Sequence, residues 1–138
     1  MKNLFSCFCL ALFASLLSLA SSCIQVQPAP PSGNLVSNER YGRFSGVYSA
    51  SLGCNLLEAD KAVRAAAKSL ILRQLSRDNQ TSFISYEYKD VYEARISVVV
   101  KLDAQEQVTV EIKFAKTGDK NFSQRFLSAI EEQIRAQE

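Results

Sequence analysis

Two stretches near the C-terminal end constrain the fold more than any other feature. Tyr92, Ala94, Ile96, Val98, Val100 and Leu102 alternate with Glu93, Arg95, Ser97, Val99 and Lys101. Val108, Val110, Ile112 and Phe114 alternate with Thr109, Glu111 and Lys113. Period two with one polar phase is the pattern of strands that bury one face. Pairing Leu102 with Val108 sets Val100 against Val110 and Val98 against Ile112, so the apolar phases coincide. A sheet with one wet face needs a second layer on the other.

Two amphipathic segments can supply that layer. Ala59, Val63, Ala66, Ala67 and Leu70 fall at helical spacing, and the pattern runs to about Leu75. Asn55 and Glu58 have the spacing of a capping box, which would start this helix at Leu56. The strand alternation before it argues for a start near Glu58. The last helix shows Phe122, Phe126, Ile130 and Ile134 every fourth residue, with Asp119 or Asn121 as its cap. Ala50, Leu52, Cys54 and Leu56 give a first half-buried strand after Tyr48. Residues 81–88 give another, rich in aromatic and β-branched side chains. Residues 77–80 read as a loop. The expected order is β-α-β-β-β-α. This is an α+β two-layer sandwich, with both helices on one face of a four-stranded, largely antiparallel sheet.

The first third of the chain is different in kind. Lys2 precedes an almost wholly apolar run over residues 4–20, which ends in small residues without a following Lys or Arg cluster. This is the layout of an export signal, covering residues 1–22. The run is short for a membrane span of roughly 20 residues. Cys7 and Cys9 lie inside it and read as small apolar residues of a discarded segment. Residues 23–40 contain Pro28, Pro30, Pro31 and Gly33 and read as a flexible tether. Residues 41–138 remain for one small domain with one core.

Leu19-Ala20-Ser21-Ser22-Cys23 resembles a bacterial lipobox, in which the cysteine is acylated and becomes the new N-terminus. Lipoproteins have a large aliphatic residue three places before that cysteine. Here Ala20 occupies the place and the leucine sits one earlier. Ala20-Ser21-Ser22 also fits ordinary signal peptidase, which would cut the same bond. In enteric lipoproteins an Asp after the cysteine favours the inner membrane. Ile24 stands there, so the resemblance leans towards the outer membrane.

Composition excludes several functions. The chain has no His, which removes the commonest general base and metal ligand. A net charge of +2 without a basic run gives no reason to expect nucleic acid. No catalytic constellation, metal site or cofactor motif is found. Cys54 lies on the apolar phase of its strand and reads as structural, with a disulfide to an unacylated Cys23 as the alternative. Glu87, Glu93, Arg95, Lys101, Glu111 and Lys113 read as a solvated sheet face. Gly118-Asp119 reads as a turn and helix cap.

Ile84, Tyr86 and Tyr88 leave two readings open. A two-residue loop at Lys89-Asp90 would put them on the polar face as a binding patch. A three-residue loop would set Tyr88 opposite Tyr92 and Ile84 opposite Ile96, all in the core.

The order of these features resembles the small bacterial lipoproteins grouped as domain of unknown function 3568. The likeness is carried by Gly42 and Gly46, Asp60-Lys61, the strand Val108-Thr109-Val110-Glu111-Ile112, Gly118-Asp119 and Ser123. Phe114-Ala115-Lys116 stands where that family more often has a Val-Gly pair. The resemblance implies a bacterial envelope setting and supplies no activity or cofactor. The expected protein is a non-enzymatic lipoprotein, held to the membrane through Cys23 and binding a protein or other envelope component. The alternative is a soluble secreted or periplasmic ligand-binding module.

Overall fold

The computed structural model describes residues 35–137. Six strands and two helices follow in the order β1 (Val36–Tyr41), β2 (Val47–Leu52), α1 (Leu56–Ser69), β3 (Arg73–Asn79), β4 (Phe83–Lys89), β5 (Arg95–Leu102), β6 (Val108–Phe114) and α2 (Lys120–Arg135). All neighbouring strands pair antiparallel, in the spatial order β1-β2-β6-β5-β4-β3. The protein is therefore α+β, with an open sheet of six strands where the sequence suggested four.

The register between β5 and β6 follows the apolar phases: Leu102 faces Val108, Val100 faces Val110 and Val98 faces Ile112. Val98, Val100, Val108, Val110 and Ile112, with Tyr48, Ala50 and Leu52 of β2 and Ile84, Tyr86 and Tyr88 of β4, form one buried face, and Leu102 packs half-buried against it. The helices cover this face side by side. α1 packs over β4 and β5, and α2 over β2 and β6. Ala59, Ala62, Val63, Ala66 and Ala67 meet Phe126, Leu127, Ile130 and Ile134 in a single core cluster. Small residues on α1 let the helix lie close to the large side chains below it. The core closes within the described residues, so this part of the chain carries what it needs to fold as a unit.

Helix α1 starts at Leu56 through a complete capping box. The Asn55 side chain accepts from the Glu58 amide at 2.9 Å, and the Glu58 carboxylate accepts from the Asn55 amide at 3.0 Å. It ends at Ser69, well short of Leu75, because the chain turns into β3. That strand was expected as helix end and loop. It is an edge strand exposed along its whole length, so it has no apolar alternation to reveal it. Strand β1, the other edge, occupies residues assigned above mostly to the tether. It too is polar, and it carries a bulge between Ser37 and Arg40 with Asn38 at φ 53°.

The strand directions place every connection at one of two ends of the sheet. The β1–β2 turn, the α1–β3 and β4–β5 loops and the β6–α2 turn stand at one end. The β2–α1, β3–β4 and β5–β6 connections stand at the other, as does the entry to β1.

Candidate functional site

Among the described residues one charged group is buried, Asp60, on the inner face of α1. Its carboxylate accepts from the Tyr86 hydroxyl of β4, from Arg77 Nη2 of β3 at 3.0 Å and from Arg64 Nη2, one helical turn on, at 3.0 Å. Burial alone would raise the pKa of Asp60. The hydrogen bonds from Tyr86 and Arg77 and the two guanidinium charges outweigh it and hold the carboxyl below its ordinary value. Tyr86 is pushed well above the ordinary phenol range, first by burial and then by bonding to the carboxylate. Arg77 also stands 6.0 Å from the Tyr86 ring centroid. The cluster ties α1 to the edge strand β3, which contributes almost nothing else to the core. It has the chemistry of a brace: an ionised acid, a protonated phenol and two cations, with no base that can accept a proton at neutral pH.

Ile84, Tyr86 and Tyr88 are 4%, 1% and 2% exposed, so they form no surface patch. The loop after β4 is longer than either register considered above, and Tyr88 faces Ile96 while Ile84 faces Val100. The even offset keeps the apolar phases together and buries all three. The Tyr86 and Tyr88 rings stack at 5.8 Å, and Phe126 of α2 meets Tyr88 edge-on at 6.4 Å. The Tyr88 hydroxyl has no hydrogen-bond partner among the described residues, and burial pushes its pKa to about 12.

The open sheet face carries paired charges. Lys101 and Glu111 meet at 2.5 Å, and Arg95 and Glu87 at 3.8 Å. Glu93, expected on this face, instead sits in the β4–β5 loop at φ 63° and pairs with Lys89 and with Arg73. Cys54 is a free, half-buried thiol whose pKa is pushed to about 12 by burial and by the Glu58 charge. Among the described residues no group of three acids or cysteines is placed to hold a metal, and no helix is long and apolar enough to cross a membrane. The acylation site Cys23 and the export signal lie outside the described residues. A shallow depression on the solvent side of α2, lined by Asn121, Gln124, Arg125 and Ser128, has no buried polar group aimed into it.

The residues that sequence reasoning singled out are mostly architectural. Gly46 and Gly118, at φ 66° and 79°, meet backbone to backbone between the β1–β2 and β6–α2 turns. Asp119 caps α2 by accepting from the Phe122 amide at 3.0 Å. Ser123 is fully buried and donates to the Asp119 carbonyl at 2.8 Å. Sequence reasoning missed the surface at the end of the sheet where these turns stand. The signal was there in Phe44 and in Val91-Tyr92, which are apolar residues next to turns. Phe44 is fully exposed, Tyr92 is 87% exposed and Val91 71% exposed.

No curated protein matches the chain. A family model described as "Protein of unknown function (DUF3568)" matches residues 6–133, nearly the whole length, and the chain belongs to that family.

Proposed function

We propose that the protein is an exported, lipid-anchored domain of the bacterial envelope that acts by surface contact and not by catalysis. The observation that carries this reading is the apolar leader ending in Leu19-Ala20-Ser21-Ser22 directly before Cys23. The family match begins at residue 6, inside that apolar run, and so spans it together with the domain. Two or three acyl chains on Cys23 would anchor the chain firmly, since each buried methylene contributes about 0.8 kcal/mol. The domain supports the non-catalytic half of the reading. Its one buried acid is held ionised by fixed partners, and its one free thiol is held protonated. Both states are the opposite of what a general acid or a nucleophile needs at neutral pH.

Expression of the full chain in a bacterium, followed by mass analysis of the peptide that begins at Cys23, tests the anchor. The expected peptide carries an acyl-glyceryl mass. Ala20-Ser21-Ser22 favours a second reading, a soluble periplasmic module released by ordinary signal peptidase. A Cys23 N-terminus with a free thiol would establish that reading in place of the first.

A further inference from the structure

We propose that the turn-bearing end of the sheet, at Phe44, Ile71, Val91 and Tyr92, is a docking surface for an anionic lipid bilayer. Four large apolar side chains are exposed there on three separate loops. Strand order puts the Phe44 turn, between β1 and β2, about three strand spacings from the Tyr92 loop, or roughly 15 Å. Ile71 lies beyond, at the entry to β3. It is β-branched, sits at φ 57° and is 75% exposed. The left-handed backbone belongs to the α1 stop, where the Ile71 amide donates to the Lys68 carbonyl at 3.1 Å and the Leu72 amide to the Ala67 carbonyl at 2.9 Å. A glycine or asparagine is the usual residue there, and an isoleucine adds exposed apolar surface instead.

Charge follows the same axis. Arg43, Lys68, Lys113, Lys116 and Lys120 stand at this end, and none has a carboxylate partner among the described residues. The acids Asp90 and Asp119 stand there too, accepting from the backbone amides of their own turns, and leave the end with an excess of cations. The acids Asp78, Asp103 and Glu106 stand at the opposite end, also without cationic partners. The fold thus separates a net charge of only +2 into a basic, apolar-tipped end and an acidic end. Cations around apolar tips complement anionic headgroups over an acyl interior, each cation raising association by about fivefold. The spacing favours a bilayer over a protein. Separated tips can enter a fluid surface independently, whereas a folded partner needs a continuous complementary patch of about 800 Å².

This proposal is compatible with the anchor but does not depend on it. The chain enters β1 at the acidic end, and the dozen residues from Ile24 to Leu35 can reach at most about 40 Å. The sheet is about 27 Å long, so an anchored chain can turn its basic end back onto the same membrane.

Sedimentation of residues 24–138, which lack the acyl acceptor, with phosphatidylethanolamine vesicles made with or without phosphatidylglycerol tests the proposal. Binding is expected only with phosphatidylglycerol and should weaken with salt. It should fall at least tenfold in Phe44→Ser/Tyr92→Ser and in Lys116→Glu/Lys120→Glu. Circular dichroism should show these surface variants folded. Equal binding to both vesicles, or none to either, overturns the proposal. So does binding to soluble polyglutamate that the apolar substitutions leave unchanged, which would indicate an acidic protein partner. Because Cys23 is absent, failure here says nothing against acylation, and an unacylated Cys23 says nothing against this surface.

Discussion

Gly46 and Gly118 approach so closely that neither can carry a side chain. A β-carbon on Gly46 would stand 2.7 Å from the Gly118 nitrogen, and one on Gly118 would stand 2.6 Å from the Gly46 carbonyl carbon. Both residues take positive φ, at 66° and 79°. The contact locks the β1–β2 turn to the turn that launches α2, so edge hairpin and helix share one rigid corner. Gly118→Ala should cost about 3 kcal/mol, from the left-handed backbone together with overlap against main chain that cannot move aside. Urea unfolding measures this, and an unchanged midpoint would contradict the contact.

Asp60 gives the fold a defined acid sensitivity. Its pKa lies below the ordinary carboxylate value in the folded state, because hydrogen bonds and cations outweigh burial. A depressed acid contributes stability that is present above the unfolded pKa of about 3.9 and is lost as pH falls through the folded value. Asp60→Asn should remove this dependence below about pH 4 and cost about 2 kcal/mol at pH 7. That cost is discounted because Arg64 and Arg77 are themselves partly exposed. The difference in urea stability between the native protein and the variant should narrow as pH drops from 6 to 3, in roughly unit steps. A constant difference would sink the claim that the acid is ionised.

Cys54 should be a sluggish thiol. With its pKa near 12, less than about one thousandth is thiolate at pH 8. Reaction of residues 24–138 with a disulfide reagent at that pH should run at least about 100-fold slower in buffer than in urea. Equal rates would show that the thiol is open and ordinary, and would contradict the burial that holds it protonated.

Ile71→Asn should separate stability from docking. Asparagine tolerates the left-handed backbone at φ 57°, so strain of about 1 kcal/mol is relieved while no buried contact is lost. The thermal midpoint should rise by a few degrees for a domain of this size. Vesicle binding should fall in the same protein. A lower midpoint would show that the exposed isoleucine supports the fold after all.

Several of these features were legible in the residues and several were not, for physical reasons. The Asn55–Glu58 box was readable because capping is local chemistry. The β5–β6 register was readable because both strands bury one face and only an even offset keeps the phases together. Strands β1 and β3 left no such trace: Arg73–Asn79 is wet on both faces and held by main-chain pairing to β4. The brace at Asp60 joins residues 17 and 26 positions apart, and no local pattern reports that. Tyr92 misled for a more telling reason. It continued the β5 alternation in phase, yet it stands in a loop with its ring in water.

The absence of tryptophan from the chain allows the docking surface to be read directly. Tyr92→Trp places a single indole on the exposed β4–β5 loop, and Ala104→Trp places one in the exposed β5–β6 turn at the acidic end. Fluorescence is then followed as phosphatidylglycerol vesicles carrying brominated acyl chains are added. The account predicts a blue shift and quenching for the indole at position 92 and neither for the one at position 104. Quenching at both positions, at 104 alone, or at neither would contradict it.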